Sequence, residues 1–143
     1  MNLKVLTVSV VLVAASVLVW AQAPTKEKFH FNKNSEDEYG YAQAVKVGNT
    51  IYISGVAGRG PMDQAITNVY RGLERTLQHY GATFENVVKE NLYTTNMDEM
   101  IKYQKIRRDF YKNDYPAASW VQISRLFMPD AVLEVEVIAV VKE

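Results

Sequence analysis

The stretch AVLEVEVIAVV, Ala131 to Val141, alternates residue by residue and reads as a β-strand with two unlike faces. Leu133, Val135, Val137, Ala139 and Val141 fall on one side, a core side. Glu134, Glu136, Ile138 and Val140 fall on the other, which is acidic at one end and apolar at the other. The fold turns on what covers each side. Immediately upstream, Ala118 to Leu126 reads as a second strand, separated from the last by Phe127-Met128-Pro129-Asp130. Pro116 ends whatever helix precedes it, because proline lacks a backbone donor and crowds the previous turn.

Working further back, Asn96 with Glu99 three residues on makes a cap-and-return pair. It opens a helix whose Met97, Met100, Ile101, Tyr103, Ile106 and Phe110 supply an apolar face. Val87 to Thr95 has strand character. Asp63 is placed to cap an earlier helix, in which Ile66, Val69, Tyr70, Leu73, Leu77 and Tyr80 recur at helical spacing and Gly81 supplies a left-handed terminator. Tyr41 to Val47 and Thr50 to Gly55 alternate around Gly48-Asn49, the pattern of a hairpin. GVAGRGP, Gly55 to Pro61, reads as a glycine-rich loop without the lysine-serine pair of a phosphate cradle or a full dinucleotide fingerprint. The order β-β-α-β-α-β-β predicts an α+β domain with a mixed sheet and two helices packed on one face. The uncovered side of the last strand then predicts burial against further copies of the chain.

A hydrophobic share of 48% and a run of elements without repeat predict one core. Equal counts of basic and acidic residues, 16 each, leave no electrostatic footprint for a nucleic-acid partner. Lys102, Lys105, Arg107, Arg108 and Lys112 are interleaved with Asp98, Glu99, Asp109 and Asp114, which reads as a solvated helix face. The absence of cysteine excludes a disulfide framework, a thiolate nucleophile and a cysteine-bound zinc. His30 and His79 lack metal-ligand spacing, so neither metal nor cofactor is expected. Asn2-Leu3-Lys4, the apolar Val5 to Trp20 and the small residues of Ala21-Gln22-Ala23 are the three parts of a secretory signal peptide, with cleavage expected after Ala21. An uncleaved anchor is the other reading of the same run. The expected organisation is a signal over residues 1–21, a polar linker over 22–38 that includes KNSEDE, and a domain over 39–143. That domain is expected to be periplasmic or secreted, free of the membrane once the signal is removed.

Five stretches carry a family resemblance: YAQAVKVGNTIYISG (Tyr41 to Gly55), GAT at Gly81, VVKENLYTTNMDE (Val87 to Glu99), PAASWVQISRL (Pro116 to Leu126) and LEVEVIAV (Leu133 to Val140). In these residues and their order the chain resembles the RidA (YjgF, reactive-intermediate deaminase) family from about Tyr39 to Val141. The resemblance implies a chorismate-mutase-like α+β subunit and a homotrimer with small-molecule clefts between subunits. In deaminating members a Pro-Ala-Arg-Ser/Thr motif supplies an arginine that grips the substrate carboxylate, a task suited to a planar fork of donors. Pro116, Ala117 and Ser119 match that motif, and Ala118 stands in the arginine's place. Glu134 matches the acid that orients the attacking water, Tyr41 the aromatic at the cleft mouth, and Ser54 with Gly55 the pair lining the pocket. Gln104 falls near the family's asparagine, and Trp120 occupies a place often held by a small residue or cysteine. Arg59, between two glycines, is a possible substitute for the motif arginine, a surface arginine being the plainer reading. Arg125 matches a family arginine outside the catalytic place.

Two functions follow. One is a cleft that binds a small metabolite, with ordinary 2-imino acid deamination lost along with the arginine. The other is an imine or enamine hydrolase of altered preference, in which Glu134 orients water. A structural trimer without ligand and an RNA-cleaving protein are the remaining readings, and the charge balance gives the last no support.

Overall fold

A computed structural model describes residues 23–142, and the leader expected over 1–21 lies outside the described residues. In chain order they form β1 (Glu27–Phe29), α1 (Lys33–Tyr39), β2 (Ala44–Val47), β3 (Thr50–Arg59), α2 (Met62–His79), a 3-10 turn (Phe84–Asn86), β4 (Val87–Thr94), α3 (Met97–Tyr111), β5 (Ala117–Gln122) and β6 (Ala131–Val140). The strands make a sheet ordered β1-β2-β3-β6-β4-β5. Pairing is antiparallel except between β4 and β5, which α3 joins as a crossover. The sheet is therefore mixed and the class α+β.

The opening stretch behaves as its alternation predicts. Leu133, Val135, Val137 and Ala139 of β6 are buried, together with Ile66, Val69, Tyr70, Leu73 and Leu77 of α2. Two glycines let α2 lie this close to β3. A Cβ on Gly58 would stand 2.8 Å from the Ala65 carbonyl, and one on Gly72 would stand 2.8 Å from Val56. The helix ends as expected: Gly81 takes φ 67°, its N–H donates to the Gln78 carbonyl, and Ala82 N–H donates to Leu77. The opposite face of the sheet carries no helix among the described residues. Glu134, Glu136 and Ile138 lie on it half-buried, beside the exposed Tyr52.

Four local expectations need correction. The segment read as a polar linker carries β1 and α1, because one carboxylate organises it. Glu36, 2% exposed, accepts from the backbone N–H of Phe31 (2.8 Å), Asn32 (2.9 Å) and Gln43 (3.0 Å), and pairs with His30 Nδ1 at 2.6 Å. Burial alone would raise its pKa, but the bonds from Asn32, His30, Gln43 and Phe31 hold it below the ordinary carboxylate value. The glycine-rich stretch is strand as far as Arg59, not loop. Asp63 lies within the first turn of α2, behind Pro61, and caps nothing. Asn96 does cap α3, accepting from Glu99 N–H at 3.1 Å, but its own N–H goes to Thr94 rather than to Glu99.

Helix α3 departs furthest from its pattern. Ile101 is exposed, whereas the deeply buried positions are Met100, Arg107 and Tyr111. Arg107, counted by sequence among solvated cations, is 6% exposed.

Candidate functional site

Residues of β3 and β6 build the first part of the site. Between the pairs Ile53↔Val137 and Val56↔Val135, two residues of β3, Ser54 and Gly55, oppose Glu136 alone. This is a β-bulge, the device that re-aims side chains at a strand's edge. The Ser54 hydroxyl donates to the Ala42 carbonyl (2.7 Å), and Gln43 Nε2 donates to the Ser54 carbonyl (3.1 Å). The bulge thereby fixes the chain entering β2, where Tyr41 stands 46% exposed. Gly55 leaves the space that the Glu134 carboxylate occupies: a Cβ there would come within 2.0 Å of Glu134 Oε1.

The two carboxylates on this face differ. Glu136 Oε1 accepts from Asn91 Nδ2 (2.8 Å) and from the Tyr93 hydroxyl (3.3 Å). Glu134 accepts no hydrogen bond among the described residues, and its oxygens reach solvent. Burial and the neighbouring Glu136 charge push its pKa up. Burial, then the charges of Glu36 and Glu134, likewise raise the Tyr41 phenol. An unbonded carboxylate with a raised pKa, beside a phenol, is equipped to hold and turn a water molecule. Next to it runs a depression of about 270 Å³ lined by Val45, Tyr52, Ser54, Asn91, Glu136 and Ile138 among others. A second, open concavity beside Tyr41 is bordered by Lys26, Lys28, His30 and Lys33.

The second part lies on β5, the edge strand. Register pairs Ala118 with Glu90 and Trp120 with Leu92, which sets Ala118 and Trp120 on the helix side of the sheet. Ser119 faces the open side, where its hydroxyl accepts from Lys89 Nζ at 2.9 Å. Ala118 is exposed. Gln104 is half-buried on α3, one turn before Arg107.

Trp120 is half-buried on the helix side of the sheet. Its indole N–H donates to Glu90 Oε1 at 3.2 Å. Glu90, fully buried, also accepts from Arg107 Nε (2.8 Å), the Tyr70 hydroxyl (2.8 Å) and the Tyr111 hydroxyl (2.7 Å). Burial first, then the Glu90 charge, lifts both phenols far above their usual range, so they stay neutral donors. Sequence reasoning missed this network. The available signal was a charge on the buried side of each element: Glu90 alternates with Leu92 and Thr94, and Arg107 lies two turns from Met100.

Arg59, the last residue of β3, is held within its own chain. Its Nε donates to Asp130 at 3.0 Å, and its guanidinium also contacts the Met128 sulfur. The predicted residues thus form two groups. Tyr41, Ser54, Gly55 and Glu134 are brought together; Ala118 and Trp120 lie two strands away from Glu134 and on the other face. A site that uses both groups needs more than one copy of the chain.

A sequence profile described as endoribonuclease L-PSP matches residues 33–141, nearly all of the folded part. The chain belongs to this family. The RidA and YjgF proteins that its motifs resemble are members of it. The 2-iminobutanoate/2-iminopropanoate deaminase of Dermatophagoides farinae is 29% identical over 111 residues, 71% of this chain and 86% of that protein. A RutC family protein of Pyrococcus abyssi is 30% identical over 111 residues, covering 69% and 84%. Among solved structures, a YjgF/YER057c/UK114 family member from Mycobacterium tuberculosis superimposes with a TM-score of 0.76 at 24% identity, over 82% of this chain and all of the other, and so shares the fold. The family profile begins at Lys33, inside α1, so the segment first read as linker is partly family structure.

Proposed function

We propose that this family member works as an exported homotrimer whose intersubunit clefts bind a small metabolite, and that short 2-imino acids are not its substrates. The observation that carries this reading is the division of the site: an unbonded Glu134 beside Gly55 and Tyr41 on an uncovered sheet face, and an exposed Ala118 on the far edge strand. Only a second copy can complete the first group with the second. A methyl group cannot bind a carboxylate, and each lost charge-assisted bond is worth roughly 1.5–3 kcal/mol. Turnover of 2-iminopropanoate should therefore fall on the order of a hundredfold or more.

The relative from Dermatophagoides farinae, named a deaminase, favours a second reading, an imine or enamine hydrolase of altered preference. Glu134 supports it, since its free oxygens and raised pKa suit a group that orients water. No residue cluster among those described has metal-ligand composition, and neither reading draws on a metal.

The test is hydrolysis of 2-iminopropanoate, generated in place by an amino-acid oxidase, by the native protein and by Ala118→Arg, with light scattering for the oligomer. The expected result is a trimer that is inert until the arginine is supplied. Native activity equal to the variant's would defeat the reading of Ala118, and a monomer would defeat the intersubunit cleft.

A further inference from the structure

One edge of the open sheet face carries cations that the group around Glu134 does not use. Lys26, Lys28 and His30 alternate along β1 and its flanks. The register of Lys28 with Val45 sets them on the uncovered side, whereas Phe29 turns the other way onto His79 of α2 at 4.3 Å. With Lys33 of α1 they border the open concavity beside Tyr41, about 760 Å³ in volume, where Gly40 and Ala42 add no bulk. Two acids lie against this hollow. Asp37 is paired with Lys33, and Glu36 is answered by three backbone N–H groups and by His30, so Lys26 and Lys28 give the hollow its positive sign.

His30 is held in one orientation. Glu36 is ionised, so the 2.6 Å contact is a hydrogen bond donated by His30 Nδ1–H. The two nitrogens of an imidazole diverge, which turns Nε2 away from the buried carboxylate, and the ring borders the hollow with its side chain 17% exposed. A phosphate monoester suits such a nitrogen better than a carboxylate or a sulfate ester does. Its second pKa is about 6, so near neutral pH it supplies both a monoanion that donates to a bare Nε2 and a dianion that accepts from a protonated one. A carboxylate or a sulfate ester only accepts. Tyr41, on the rim, is kept a neutral hydroxyl by burial and by the charges of Glu36 and Glu134, and it links the hollow to the Glu134 carboxylate.

We propose that the hollow between β1, α1 and Tyr41 binds the phosphate of a soluble phosphomonoester, with Lys26 and Lys28 neutralising it and His30 Nε2 sharing a proton with it, and that the esterified part of the ligand runs past Tyr41 toward Glu134. This rests on the reading that Tyr41 and Glu134 belong to a small-molecule cleft, and it names the ligand class of that cleft. The phosphate grip lies at the opposite edge of the sheet from Ala118, which fits a ligand other than a short 2-imino acid.

The experiment is an NMR titration of the full chain with phenyl phosphate, phenyl sulfate and inorganic phosphate, following the His30 ring nitrogens and the Tyr41 ring signals. Phenyl phosphate should shift both residues saturably, inorganic phosphate should shift His30 alone, and phenyl sulfate should bind about tenfold or more weakly. Lys26→Gln combined with Lys28→Gln alters exposed side chains and should weaken phenyl phosphate about tenfold or more at an unchanged melting temperature. His30→Asn keeps an N–H for Glu36 while removing Nε2, and should abolish the preference for phosphate over sulfate. No saturable shift at His30, equal binding of the two esters, or an affinity unchanged by the lysine substitutions would overturn the assignment. A response confined to His30 would overturn the route toward Glu134. Binding that survives dissociation of the oligomer but not the lysine substitutions keeps the phosphate site and removes the intersubunit reading. A trimer that gains 2-iminopropanoate hydrolysis with Ala118→Arg yet ignores phenyl phosphate does the reverse.

Discussion

Glu90 and Glu134 sit on neighbouring strands and face opposite ways. The first is sealed under α2 and α3 with four donors, and the second lies over Gly55 with none among the described residues. A buried charge is tolerated only when every lone pair is answered, so the surroundings of Glu90 have become a rigid network. Glu134 remains available, and its raised pKa reflects partial burial and a like charge nearby. One residue type thus serves packing on one face of the sheet and is free for chemistry on the other.

The sharpest way to break this comparison is Arg107→Ala. Leaving Glu90 buried without its cation should cost about 3–5 kcal/mol in urea denaturation. Adding Glu90→Gln should recover part of that loss, because the amide oxygen still accepts from Tyr70 and Tyr111. Next in size is Glu36→Gln, expected to cost about 1–3 kcal/mol and to expose the amides of Phe31, Asn32 and Gln43 to hydrogen exchange. The pH dependence has a definite sign. The folded pKa of Glu36 lies below its unfolded value, so its contribution is complete above the unfolded value and is lost as pH falls through the folded one.

Gly55→Ala should cost about 1 kcal/mol by driving the Glu134 carboxylate from its place, and less in a Glu134→Ala background, a coupling that a double-mutant cycle measures. Glu134→Gln alone should leave stability at neutral pH unchanged or raised by about 0.5 kcal/mol, while any imine hydrolysis falls. Here the folded pKa lies above the unfolded value. The ionised group therefore opposes folding at high pH, and that cost disappears as pH drops through the folded value. The smallest effect belongs to Arg59→Ala. Its exposed pair with Asp130 contributes about 0–1 kcal/mol, and loss of an arginine tied to its own chain should leave ligand affinity unchanged.

Much of the fold was legible because it rests on periodicity. The two-faced β6, the α2 stripe ending at Gly81 and the Asn96 cap depend on spacing along the chain, and spacing survives without coordinates. The grouping of Glu134 with Tyr41, Ser54 and Gly55 came from motif resemblance rather than from pattern. The helix at Lys33–Tyr39 was not legible, because KNSEDE is polar throughout and only contact with the amides of Phe31, Asn32 and Gln43 makes Glu36 an interior residue. The glycines of GVAGRGP likewise suggested a loop, whereas Gly58 admits α2 and Gly55 makes room for the Glu134 carboxylate.

By itself, the sequence determined the class of fold, the family and an uncovered sheet face. Tertiary structure alone decided that the Trp120 indole N–H turns inward, that Arg59 is tied down, and that Arg107 is buried against Glu90. The reason is physical. Periodicity records which side of an element is apolar, whereas the burial of a charge depends on whether donors far away in sequence converge on it, as Tyr70, Arg107, Tyr111 and Trp120 do on Glu90.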